Sequence, residues 1–159
     1  MVKKFPYRSI LVVCSVNTAR SRIAEGFLKN FFFQHDFDIE IKSGGISSHA
    51  RDGMLISMDA KLVMEEIGIK LSENSVSIDL KKHPELIKNA DLILTFTEKH
   101  KKELKEFINI NNKEILTLKE FAGLTGDIKD PSMKEIEGFR TARDEILDCL
   151  LKGFNKYSF

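Results

Sequence analysis

Cysteine is scarce in this chain: of 159 residues, only Cys14 and Cys149 carry thiols. That excludes a disulfide framework, and in a reducing compartment it leaves a thiol available for chemistry. A surplus of charge is missing as well. Lys and Arg number 25 against 24 Asp and Glu, a net charge of +1, so no long-range field draws the chain to nucleic acid or to a membrane surface. Any anion binding is therefore local, and neither nucleic acid nor membrane is an expected partner. No apolar run approaches the roughly 20 residues of a membrane span, and Met1 to Arg8 has no secretory h-region; a cytoplasmic protein is the expectation. The four histidines, His35, His49, His83 and His100, show no metal-ligand spacing and are read as surface or packing residues. No metal is expected. Repeats, low-complexity segments and linkers are absent.

What is present is material for one core. A hydrophobic content of 42% over 159 residues suits a single domain spanning 1–159 that buries its core without staples. Ile10 to Val13 reads as a fully buried strand, Phe37 to Lys42 alternates as a strand before the turn Ser43-Gly44-Gly45, Leu92 to Phe96 reads as a third strand and Ile115 to Leu118 as a fourth. Helical spacing links Ile23, Phe27, Leu28, Phe31 and Phe32. A second helix is expected over about Ser57 to Ile67, with Met58, Leu62 and Met64, ending at Gly68. A charged helix follows over Glu98 to Phe107. The last helix carries Ile136, Phe139, Ile146, Leu147, Leu150 and Phe154. Alternating strands and helices predict an α/β fold, a four-stranded parallel sheet with helices on both faces. Cys149 falls inside the last helix, away from polar neighbours, and reads as structural.

The stretch "ILVVCSVNTARSRIAEGF" joins the first strand to the first helix. Such a loop turns successive backbone N–H groups inward, and the helix adds partial positive charge at its start. A thiol in this cradle is favoured as the thiolate nucleophile. Arg20 supplies a planar fork suited to two oxygens of a phosphate. A Cys and an Arg at this spacing are a weak signal alone. The strand before, the helix after, Asn17 and Ser21 in or beside the loop and the late Asp130-Pro131 pair strengthen it.

Together these residues resemble the low-molecular-weight protein tyrosine phosphatases, whose loop reads C-x-G-N-x-C-R-S-P and whose general acid is the Asp of a distant Asp-Pro pair. The resemblance extends through "AEGFL", "IKSGG", "MEEIGIKLS", "ADLILTFTEKHK", "ILTLKEFAG" and "DIKDPS". It implies a flavodoxin-like fold and a cysteine-dependent phosphoprotein phosphatase working through a cysteinyl-phosphate. Cys14 would be the nucleophile, Arg20 the phosphate clamp and Asp130 the general acid and then base. Ser15, Val16, Asn17, Thr18, Ala19, Arg20 and Ser21 would surround the phosphate. Ser21 would hydrogen-bond the thiolate, and Asn17 would hold the loop with Ser43 as its buried partner. The resemblance implies no metal and no cofactor, a phosphorylated protein as substrate, and a monomer.

The chain departs from that pattern at Val16, where the family has glycine, at Ala19 for the second loop cysteine, at Arg22 for proline and at Ser132, where an aromatic usually follows Asp-Pro. A β-branched residue forced to positive φ at Val16 would be strained. Two alternatives stand beside the phosphatase. A thioredoxin-coupled arsenate reductase would need further cysteines in the later half, where only Cys149 stands. A degenerate phosphate-binding module would have no reason to keep Cys14, Arg20 and Asp130 together. Thr18 bears on substrate: the related protein arginine phosphatases carry Thr there, whereas the tyrosine enzymes commonly carry a bulky aliphatic.

Overall fold

The computed structural model describes residues 2–110 and 112–159. In chain order its elements are β1 (Lys3–Lys4), β2 (Ser9–Cys14), α1 (Arg20–Gln34), β3 (Glu40–Gly45), α2 (Met58–Glu65), a 3-10 turn (Leu80–Lys82), α3 (Pro84–Lys88), β4 (Leu92–Thr95), α4 (Glu98–Phe107), β5 (Glu114–Thr117), α5 (Leu118–Phe121), α6 (Ile136–Phe154) and β6 (Tyr157–Ser158). Four strands form a parallel sheet in the order β3-β2-β4-β5. From β2 the chain goes to one side for β3 and later to the other for β4. The carboxyl end of β2 is thus the point where strand order reverses, which is where open α/β sheets bind ligands.

Strand alternation divides the core in two. Ile10, Val12 and Cys14 join residues of α1, α2, α5 and α6 on one face, while Leu11, Val13 and Ile93 meet Leu80, Ile87 and Leu104 on the other. Both faces of the sheet are covered, which is why its central strands β2 and β4 read as nearly continuous apolar runs. Truncating Leu28, fully buried in the first cluster, would cost about 2–5 kcal/mol. At the far end of the sheet Phe5 packs its ring against Phe32, Phe37, Phe154 and Tyr157, and β1 pairs with β6 in parallel. The chain ends are tied together there, a pairing with no signature in the two short segments.

Several boundaries move. The segment beginning at Phe37 becomes strand only at Glu40, and the expected turn Ser43-Gly44-Gly45 is the carboxyl half of β3, paired with Val12, Val13 and Cys14. The glycines are there for close approach: a Cβ on Gly44 would lie 2.5 Å from Leu80, and one on Gly45 would lie 2.7 Å from the Ser15 carbonyl oxygen. In α2 the buried face is Ala60, Val63 and Met64. Met58 and Leu62 are exposed instead. That helix starts after Ser57, whose hydroxyl accepts from the Ala60 N–H at 3.3 Å, and the chain leaves it in a turn before Gly68 at φ +80°. Leu118 leaves the strand to open α5, because Thr117 and Glu120 form a reciprocal cap.

Candidate active site

The loop after β2 turns at Asn17, whose φ is +66°. Val16 is not among the residues with positive φ, so the strain expected from a β-branched residue does not arise. The left-handed position falls one residue later, on a type that tolerates it. Asn17 is fully buried and its amide is satisfied on both sides. Nδ2 donates to Ser21 Oγ at 2.8 Å and to Ser43 Oγ at 2.9 Å. Oδ1 accepts from the Ile78 N–H at 3.0 Å and from Arg22 at 3.3 Å. This network assigns the amide orientation.

Cys14 Sγ receives two contacts from the same loop, the Asn17 N–H at 3.2 Å and Ser21 Oγ at 2.9 Å. The Ser21 oxygen also accepts from Asn17, and across its contact with the sulfur either the hydroxyl or the thiol can be the donor, the hydroxyl being the only donor once the sulfur is a thiolate. Ala19, at the N-cap of α1, offers no side-chain acceptor, and the first turn holds no acidic residue. The positive end of that 15-residue helix is left facing the loop.

Arg20 is 5% exposed. Its Nη1 donates to the Ile128 carbonyl at 2.7 Å and its guanidinium lies 5.7 Å from the centroid of the Phe96 ring. Asp130 Oδ2 stands 4.0 Å from Arg20 Nη2 on a half-exposed side chain. Burial pushes the Asp130 carboxyl up, but hydrogen bonds from Ser132, with the charge of Arg20, outweigh it and leave the group below its usual value. Cys14, Ser15, Val16, Thr18, Ala19, Arg20, Asp130 and Ser132 line one cavity of about 10 Å³. Asn17, Ser21 and Ser43 lie behind it as the buried hydrogen-bonded support.

Three supporting residues escape a reading of the sequence. His100 is not a surface residue: it is 2% exposed on α4 and its Nε2 lies 3.0 Å from Ser15 Oγ. Burial, reinforced by Arg20 and Lys99, pushes its pKa down to about 3, so the ring is neutral. The available signal was its place one turn after β4, at the carboxyl edge of the sheet. Arg22, the departure from the family proline, is 6% exposed beneath Asn17 with Glu25 Oε1 at 3.6 Å. Glu25 in turn accepts from Ser43 Oγ at 2.7 Å. Gly45 lets β3 pass so close that its successors Ile46 and Ser47 donate to the carbonyls of Cys14 and Ser15 at 3.0 and 3.1 Å. Among the described residues no group of His, Cys, Asp or Glu is placed to hold a metal ion, and no helix is long and apolar enough to cross a membrane.

A strand-to-helix phosphate loop carrying a cysteine and an arginine, on a parallel sheet of this order, defines a class of phosphatase. The model of the low molecular weight phosphotyrosine protein phosphatase family matches residues 9–156, and the chain belongs to that family. It is a low molecular weight protein phosphatase. Its relatives include a protein-arginine-phosphatase of Geobacillus stearothermophilus, 39% identical over 142 residues, which are 89% of each chain. The crystal structure of a low molecular weight protein tyrosine phosphatase from T. tengcongensis superposes with a TM-score of 0.84 at 32% identity, covering 93% of this chain and 98% of that one. A mutant of the YwlE arginine phosphatase with a phosphorylated active-site serine superposes at 0.79 with 31% identity, covering 93% and 96%.

Proposed function

We propose that the chain hydrolyses phosphoproteins through a cysteinyl-phosphate on Cys14, with phosphoarginine as the preferred substrate. The observation that carries the mechanism is the convergence on one sulfur of the Asn17 N–H and the Ser21 hydroxyl, beside Arg20 and Asp130 in the same cavity. The sulfur attacks phosphorus and the bond to the leaving atom breaks as Asp130 delivers its proton. Water then attacks phosphorus, Asp130 takes the water proton, and the sulfur leaves as thiolate. Arg20, anchored to Ile128 and stacked near Phe96, neutralises the charge on the equatorial oxygens.

Asp130 is ionised in the free enzyme, which is the wrong state for an acid. A phosphoryl dianion at Arg20 offsets the part that Arg20 plays, after the Ser132 hydrogen bonds, in holding Asp130 down and adds its own negative charge, so substrate raises Asp130 toward the protonated form.

Phosphoarginine is favoured by Thr18, which lines the cavity with Asp130 and Ser132. A hydroxyl there serves to place water, and little apolar wall remains for a phenyl ring. The Asp130 carboxylate also suits a guanidinium leaving group. The relative sharing 39% identity is a protein-arginine-phosphatase. The enzyme works as a monomer in the cytoplasm, residues 1–159 forming one catalytic domain that needs no cofactor.

The test compares kcat/KM on phosphoarginine and phosphotyrosine peptides for the natural protein and Thr18→Ile. The natural protein should prefer phosphoarginine, and Thr18→Ile should move the preference toward phosphotyrosine. A preference for phosphotyrosine unmoved by Thr18→Ile rejects the substrate assignment. Cys14→Ser should abolish turnover while still binding phosphate, and appreciable residual activity would reject the covalent mechanism.

A further inference from the structure

A second cleft, of about 430 Å³, begins at Arg22 and shares no lining residue with the catalytic cavity. One wall is a face of α1 running from Arg22 to Phe33, and the other is the segment from Gly68 to Ser75. The walls come together at Gly26, where a Cβ would lie 2.4 Å from Leu71 Cδ2. Arg22, Lys29 and Lys70 face a single acid, Glu25, so the lining carries an excess of two positive charges. Ile56, Ile69 and Leu71 give it an apolar side, and Phe33 stands 84% exposed at its outer end.

Arg22 is buried, and among its partners no carboxylate meets it at two points. Its Nη1 contacts are the long ones, Asn17 Oδ1 at 3.3 Å, Ser43 Oγ and the Val76 carbonyl at 3.5 Å, and Glu25 at 3.6 Å; Nη2 touches Ser75 Oγ. None of these is the two-point grip of a carboxylate that a guanidinium fork accepts best. A planar oxyanion in the cleft is a better partner than any group the chain supplies. An apolar body behind that anion would cover Ile69, Leu71 and Phe33.

We propose that this cleft is a regulatory site for a small carboxylate borne on an aryl or alkyl body. The coupling to catalysis rests on the reading of Cys14 as nucleophile and runs through one residue. Arg22 donates to Asn17 Oδ1, and Asn17 supports both Ser21 and the left-handed turn of the phosphate loop. A ligand that draws Arg22 outward removes one of the two donors to Oδ1 and leaves the Ile78 N–H. The loop loosens without collapsing, so occupation lowers kcat and leaves KM for substrate nearly unchanged.

The probe is 1-naphthoate, titrated into the ¹⁵N-labelled protein with inorganic phosphate saturating the catalytic loop. Amide shifts should concentrate at Gly26, Gly68, Ile69 and Leu71 and should saturate. Lys70→Glu, on an exposed side chain, should weaken binding roughly fivefold, the worth of a surface charge, with basal turnover of p-nitrophenyl phosphate unchanged. Arg22→Gln should abolish binding. Shifts confined to Ser15 through Ser21 and removed by phosphate would overturn the site, as would no saturation by about 10 mM or an unchanged affinity in Lys70→Glu. Saturable binding at the cleft with no fall in kcat would overturn the regulation. An enzyme inactive on every phosphate substrate would instead defeat the catalytic reading, and the amide shifts would still decide the site.

Discussion

The Ser21 hydroxyl stands 2.9 Å from the Cys14 sulfur while accepting from Asn17 Nδ2 at 2.8 Å. The hydroxyl thus bridges the Cys14 sulfur to Asn17, the residue that shapes the loop, and against a thiolate, which has no proton to give, it is the donor. Ser21→Ala removes a hydrogen bond to the sulfur, worth about 0.5–1.5 kcal/mol, and leaves an Asn17 N–H unpaired in the interior at about 1–3 kcal/mol. The expected result is a fall in kcat of about 10- to 100-fold and slower alkylation of Cys14 by iodoacetamide. Ser21→Thr, which keeps the hydroxyl, should recover part of both. Unchanged alkylation in Ser21→Ala would separate the hydroxyl from the thiolate.

Asp130→Asn should cost on the order of 10² to 10⁴ in rate for poor leaving groups and far less for p-nitrophenolate, which departs unprotonated. A uniform loss across leaving groups would count against the general acid. Ser132 refines the prediction. Its hydrogen bonds hold the Asp130 carboxyl down, the backbone N–H at 2.9 Å being one of them, so Ser132→Ala raises Asp130. An acid must be protonated to work, and a raised value keeps it so to higher pH. The alkaline limb of the kcat profile on a poor leaving group should therefore move upward, and a downward move would contradict the sign.

The residues proposed for the chemistry were more legible than those that support them. Cys14, Arg20 and Asp130 announce themselves because reactive residue types stand at a strand end, a helix start and a late Asp-Pro pair. The central strands were equally plain, since a strand covered on both faces is apolar along most of its length, as Leu92 to Leu94 are. Gly44 and Gly45 misled because glycine marks turns by composition, whereas here it admits Leu80 and the loop backbone against the strand. Met58 and Leu62 misled because helical spacing names a stripe without saying which stripe meets the core. The supporting roles of Arg22 and His100 were the least legible: what makes them supports is contact with Asn17 and Ser15, five and 85 residues away in sequence.

His100 also gives stability a pH dependence. An ordinary histidine titrates near 6.5 and this one near 3, because burial and the Arg20 charge oppose protonation. Between those values the unfolded chain binds a proton that the native state does not, so stability falls as pH drops through that window, by up to about 1.4 kcal/mol per pH unit. Urea denaturation at pH 6.5 and pH 5 should show a loss of up to about 2 kcal/mol from this group. His100→Asn, which cannot titrate and retains a group for Ser15, should lack that component. Equal losses in both proteins would remove His100 from the acid response.

Ala19 sets the response to oxidants. It lines the same cavity as Cys14, at the position where the family carries a second loop cysteine, and so no neighbouring thiol is present to trap a sulfenic acid as a disulfide. Cys149 is no substitute: it is 1% exposed within α6, and burial pushes its thiol up, away from the reactive form. Peroxide should drive Cys14 toward sulfinic and sulfonic acids, with activity lost beyond recovery by dithiothreitol. Ala19→Cys should convert that loss into one that dithiothreitol reverses, with a disulfide between positions 14 and 19 visible by mass spectrometry. Full recovery of the protein lacking Cys149 after prolonged peroxide would show that Cys14 is protected by some other means, and the role given to Ala19 would be wrong.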